Sequence, residues 1–153
     1  GAVRLRPALL FGLASAFALT ACADSKLGEE GEVSVTEVID NIARWDGKIY
    51  RVHGWLGRCE GLDCAIYATR NDAQIVAGGD YESDAWSEAM DRRLSIASIG
   101  DFDDRAAPLQ LQKVELIALV SAECRGWNGG CTDRASDLYP FDIKLINPAN
   151  EAE

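Results

Sequence analysis

The sequence is short of positive charge, of histidine and of uninterrupted apolar length, and each shortage removes a class of function. Its 153 residues carry 15 lysines and arginines against 25 aspartates and glutamates, a formal net charge of −10 at pH 7. That excess would repel phosphate backbones, so no nucleic acid partner is expected. The one histidine, His53, leaves a single candidate general base, and no G-x-S-x-G turn offers it a serine nucleophile. No C-x-x-C pair is present, which removes the usual dithiol redox motif. The apolar run at 8–19 (ALLFGLASAFAL) is twelve residues, short of the roughly 20 that a spanning helix needs. Internal repeats are absent as well.

What is present begins with a leader. Arg4 and Arg6 precede the apolar run, and Leu19-Thr20-Ala21-Cys22 follows it. Positive start, short apolar core and small residues are the order of a secretory signal peptide. LTAC also resembles the lipobox of bacterial lipoprotein precursors. That resemblance implies cleavage before Cys22, a diacylglycerol thioether on its sulfur, and a fatty acyl group such as palmitate on the new amino terminus. Ordinary cleavage after Ala21-Cys22-Ala23 satisfies a small-x-small rule too and stays open. Ala23, rather than an aspartate, follows the cysteine. This is similar to the pattern of outer-membrane export in the lipoprotein family, and it implies a cell-envelope protein anchored to the membrane through Cys22 and facing the periplasm.

The expected organisation is therefore a signal peptide at 1–21, a lipidated cysteine and flexible acidic tether at 22–33, and a single globular domain at 34–153. The tether reading rests on 24–32 (DSKLGEEGE), which is polar, acidic and glycine-containing. Cleavage leaves 132 residues with 13 basic and 25 acidic side chains, one domain's length with a modest core.

Within the domain, Val35, Val38, Ile39 and Ile42 recur at helical spacing. Ser34 with Glu37 makes a capping box, and Gly47 stands where the helix should stop. From 48 to 59 the period changes to two: Tyr50, Val52 and Leu56 share one face with Gly54, while Arg51, His53 and Trp55 share the other. Further strands are expected at 64–69, 94–99, 109–122 and 139–145, with a second helix at 83–94. This predicts a mainly β fold with two short helices. The element order and the phrase DGKIYRVHGWL resemble an oligonucleotide/oligosaccharide-binding (OB) domain, which implies a five-stranded small barrel with a curved first strand at Gly54 and Gly57. Other small barrels and a two-layer α+β sheet fit the same pattern.

Four cysteines lie within the domain, Cys59, Cys64, Cys124 and Cys131. An even number in an oxidising compartment favours disulfides. The four residues EGLD suit a tight hairpin, which sets Cys59 opposite Cys64 at a distance a disulfide accepts. Cys124 and Cys131 bracket the glycine-rich RGWNGG, so local pairs are expected, with crossed pairing between the two loops as the alternative. The spacings C-x4-C and C-x6-C fit zinc sites poorly, and neither a metal nor another cofactor is expected. Asp101, Asp103 and Asp104 in GDFDD miss calcium-loop spacing. The contact candidates are Arg51, His53, Trp55 and Trp127, because aromatics beside charged groups suit a sugar or peptide surface. The expected function is a non-enzymatic binding or assembly module for a periplasmic protein or glycan. A small hydrolase or metal-dependent enzyme using His53 and the Asp101–Asp104 loop is the competing reading.

Overall fold

The computed structural model describes residues 29–61, 63–125 and 135–147. In chain order the elements are β1 (Glu29–Ser34), α1 (Val35–Trp45), β2 (Ile49–Leu56), β3 (Ala65–Tyr67), α2 (Arg70–Gly78), α3 (Asp84–Asp91), β4 (Arg93–Ser95), α4 (Phe102–Ala106) with a 3-10 turn (Ala107–Leu109), β5 (Lys113–Val120) and β6 (Leu138–Leu145). The fold is mainly β, as expected, but it holds four α-helices among the described residues, not two. No helix among those residues is long and apolar enough to cross a membrane.

Helix α1 forms where the periodicity places it. Ser34 Oγ accepts from the Glu37 N–H at 3.2 Å while the Ser34 N–H donates to Glu37 at 2.7 Å, the reciprocal bonds of a capping box. Val35, Val38 and Ile42 are buried against the sheet. Gly47 ends the helix at a φ of 77°, a left-handed conformation that glycine adopts without steric cost. Its N–H then donates to Val120 O at 2.9 Å, which ties the turn to β5.

One sheet contains all six strands in the order β4-β3-β2-β5-β6, and β1 pairs in parallel with β2 beside this path. It is open. Its ends, β4 and β6, approach, among the described residues, through one parallel bridge between Ile96 and Leu138. The Ala97 N–H donates to Leu138 O there at 2.9 Å. Beside the bridge Asp137, 4% exposed, takes hydrogen bonds from the Ser95 N–H at 2.9 Å and from Arg125 Nε at 3.2 Å.

Strand β2 alternates as its sequence does, with Tyr50, Val52, Gly54 and Leu56 inward and Arg51, His53 and Trp55 outward and half-buried. Gly54 is there for close approach, not curvature alone. A Cβ on it would lie 2.7 Å from Tyr67 O, 2.8 Å from Ile66 Cγ1 and 2.8 Å from Val35 Cγ2. Gly57 is similarly crowded, with Tyr67 Cε2 at 2.8 Å from the same added atom. The core gathers α1, the inner faces of β2 and β5, and Phe102 and Ala106 of α4.

Four departures from the sequence reading have physical causes. Residues 29–33, acidic enough to read as the end of a tether, form β1 because Arg51 on the neighbouring strand neutralises Glu29 and Glu32. Helix α2 carries little apolar periodicity and is anchored instead by a buried charge: Asp72 accepts from Arg92 at 2.9 and 3.2 Å. The apparent loop GDFDDRAAP is α4 and its following turn, held down by buried Phe102. In β6 a bulge opposite Ile117 and Ala118 breaks the period of two. Phe141, the extra residue, is consequently 45% exposed while Leu138 and Ile143 are buried; Leu145, at the strand's end, is 46% exposed.

Candidate binding site

The outer face of the sheet carries two rows, polar apart from Ile117, fixed by strand register. Ser34, His53, Glu115 and Lys144 align across β1, β2, β5 and β6, and Glu32, Arg51, Ile117 and Asp142 align in the next row. Partners in register present side chains to the same face of a sheet. Four strands therefore bring together charges that are up to 112 positions apart in the chain, from Glu32 to Lys144.

Glu115 is the hub, with its side chain 8% exposed. Oε2 meets His53 Nε2 at 2.9 Å. Oε1 faces Lys144 Nζ at 2.8 Å and Arg51 Nε at 3.7 Å. Arg51 is itself fixed by Glu29 at 2.6 Å, and that hydrogen bond raises the pKa of its guanidinium. Burial alone would raise the Glu115 carboxyl. The hydrogen bonds from Lys144 and His53, with the charges of Lys144 and Arg51, outweigh burial and hold it below its ordinary value.

The sign of the pH dependence follows. A carboxyl whose folded pKa lies below its unfolded value contributes stability that is fully present above the unfolded value. That stability is lost as pH falls through the folded value. Urea midpoints of the wild type are therefore expected to fall more steeply than those of Glu115→Gln between about pH 5 and pH 3. Parallel curves would show that the ion pairs of Glu115 do not stabilise the fold.

Trp55 is less free than its strand position implied. It packs against the small cluster of Ala65, Tyr67 and Ala73, and the Arg70 guanidinium lies 5.6 Å from its ring centroid. Cys59 and Cys64 are joined in a disulfide across the expected hairpin. Cys124 is also disulfide-bonded. Cys22, Trp127 and Cys131 lie outside the described residues. Asp101, Asp103 and Asp104 do not join His53: Asp103 accepts from Ser98 Oγ at 2.5 Å and Asp101 pairs with Arg105 at 3.2 Å. Asp104 is exposed.

Sequence reasoning missed a cleft of about 240 Å³ between the disulfide hairpin and α2. Arg58, Glu60 and Asp63 line its hairpin side, Val76 and Ala77 its helix side, and Tyr67 and Tyr81 add two phenols to the lining. Tyr81 is 74% exposed and sets its ring edge-on to Trp86 at 5.2 Å between centroids. Burial pushes the Tyr67 phenol up, an effect Arg93 partly offsets. The only sequence signal for this cleft was the hairpin itself. Its opposite wall, α2, has too little periodicity to announce it.

No protein-family model matches this chain, and no characterised protein or solved structure matches it at a significant level.

Proposed function

We propose that the chain is a cell-envelope lipoprotein, anchored through Cys22 in the outer membrane facing the periplasm, whose domain is a non-enzymatic module that binds a neutral or cationic glycan. The observation carrying this reading is the cleft at the β2–β3 hairpin, with exposed Tyr81 at its side. An aromatic plate beside carboxylates and a guanidinium offers a sugar ring both stacking and hydroxyl hydrogen bonds. The cleft's volume suits about one ring, so a longer glycan would extend along the surface. An acidic surface disfavours anionic polymers.

An OB-like fold agrees with this placement. Five strands in the order β4-β3-β2-β5-β6, with a parallel bridge between the two ends, are compatible with a partly open OB-type barrel. In such barrels the loop between the first two barrel strands contributes to oligosaccharide binding. Here that loop is the Cys59–Cys64 hairpin.

The test uses the protein extracted from the envelope in detergent. Its mass should correspond to a chain beginning at lipid-modified Cys22, and an unmodified chain beginning at Asp24 would overturn the anchor. Calorimetric titration with soluble neutral and amino-sugar oligosaccharides should give saturable binding that Tyr81→Ala weakens by about tenfold. Absence of binding, or equal binding by the variant, would overturn the glycan reading.

A further inference from the structure

We propose that Glu32, His53 and Glu115 form a binding site for one divalent transition-metal ion of the zinc class. One ligand atom from each residue lies within 4.8 Å of the other two. The three come from β1, β2 and β5, adjacent strands whose register is fixed by backbone hydrogen bonds. The site is independent of the hairpin cleft and of what that cleft binds.

The donor set selects the metal. One imidazole nitrogen and two carboxylates suit zinc, iron, manganese and cobalt, whereas calcium and magnesium prefer oxygen alone. A metal about 2.0–2.2 Å from each donor sets the donors roughly 3.0–3.6 Å apart. His53 Nε2 and Glu115 Oε2 are already 2.9 Å apart, so two of the three positions are close to that spacing. Glu32 must close the rest of the gap. Its side chain is 61% exposed and moves through solvent.

Neighbouring cations are the obvious objection, and the two oxygens of Glu115 answer it. Oε1 takes Lys144 and Arg51, while Oε2 faces His53. A metal on Oε2 leaves the Oε1 contacts in place as outer partners that orient the ligand. Glu32 would be drawn from Arg51 Nη1, now 3.7 Å away, but Arg51 keeps Glu29 at 2.6 Å. Neither cation is stranded. The metal takes the place of the hydrogen bond between Nε2 and Oε2, with the neutral imidazole carrying its one proton on Nδ1, and two carboxylates balance a dication.

His53 is the only imidazole in the sequence, so histidine ligation in the untagged protein is assignable without ambiguity. The experiment is titration of that protein with Co²⁺, followed by visible absorption, and with Zn²⁺, followed by calorimetry. One equivalent should bind, and His53→Ala and Glu32→Gln should each weaken binding by about 100-fold. Asp104→Asn, at an exposed acid outside the cluster, should leave the affinity unchanged. Absence of a cobalt spectrum, wild-type affinity in either ligand variant, or equal weakening by Asp104→Asn would overturn the site. Should His53→Ala fail to fold, Glu32→Gln at its exposed position decides the matter alone.

Discussion

Gly54→Ala is expected to destabilise the domain by about 3 kcal/mol, lowering its melting temperature by about 10 °C. The added methyl would sit 2.7 Å from the Tyr67 carbonyl oxygen and 2.8 Å from both Ile66 Cγ1 and Val35 Cγ2. Side chains can turn aside from such a clash. The carbonyl belongs to β3 and can yield only if β2 and β3 separate, which breaks the pairing at Trp55 with Tyr67 and Leu56 with Ile66. Val35 belongs to α1, so the same methyl also pushes the helix off the sheet. Gly78→Ala is the control, since a Cβ there meets nothing within 4 Å. At the end of α2 that change should be neutral or stabilising by up to about 1 kcal/mol. Urea unfolding of the two variants makes the comparison. A Gly54→Ala midpoint equal to that of the wild type would refute the close-approach explanation.

Asp137→Ala should cost a similar amount, about 3 kcal/mol, for an electrostatic reason. Asp137 is 4% exposed and its carboxylate collects the Ser95 N–H at 2.9 Å, Ser95 Oγ at 3.2 Å and Arg125 Nε at 3.2 Å. Removing it leaves the Ser95 N–H without this acceptor, in a partly buried setting. It also leaves the Arg125 guanidinium, 30% exposed, without its carboxylate. These bonds stand beside the Ile96–Leu138 bridge, so they hold the two ends of the sheet together. Asp137→Asn keeps the shape and one acceptor and should lose less. Amide hydrogen exchange at Ala97, whose N–H bonds to Leu138 O, should accelerate in the alanine variant well before global unfolding. Unchanged exchange there, with unchanged stability, would remove the clamp.

Much of the fold was legible because its signals are local. A capping box needs residues three apart, and Ser34 with Glu37 supplies both bonds. The alternation of β2 follows from the geometry of one strand, and it correctly separated Arg51, His53 and Trp55 from Tyr50, Val52 and Leu56. The disulfide between Cys59 and Cys64 follows from a short turn. Of the candidate site, therefore, the sequence supplied the outward face of one strand.

Its counterparts were not legible, because a pairing partner leaves no mark at its own position. Nothing about Glu115 within a mostly apolar strand says that His53 lies opposite, and nothing in an acidic run says that Glu29 and Glu32 will find Arg51. Composition alone makes such a run a solvated tether, since like charges repel. The parallel pairing of β1 with β2 reverses that outcome by supplying the opposite charge. The second wall of the cleft depends in the same way on α2, which is held by the distant pair Asp72 and Arg92.

By itself the sequence determined the elements whose stabilising contacts fall within one turn, one strand or one hairpin: α1, the two faces of β2, and the disulfide corner. Tertiary structure alone decided that an acidic segment would become a strand, that a bulge would turn Phe141 to solvent, and that Glu32, His53 and Glu115 would meet. The physical reason is range. Local steric and hydrogen-bonding preferences act over a few residues and leave a period or a cap, whereas charge pairing and strand register join groups whose only relation is their position in the folded sheet.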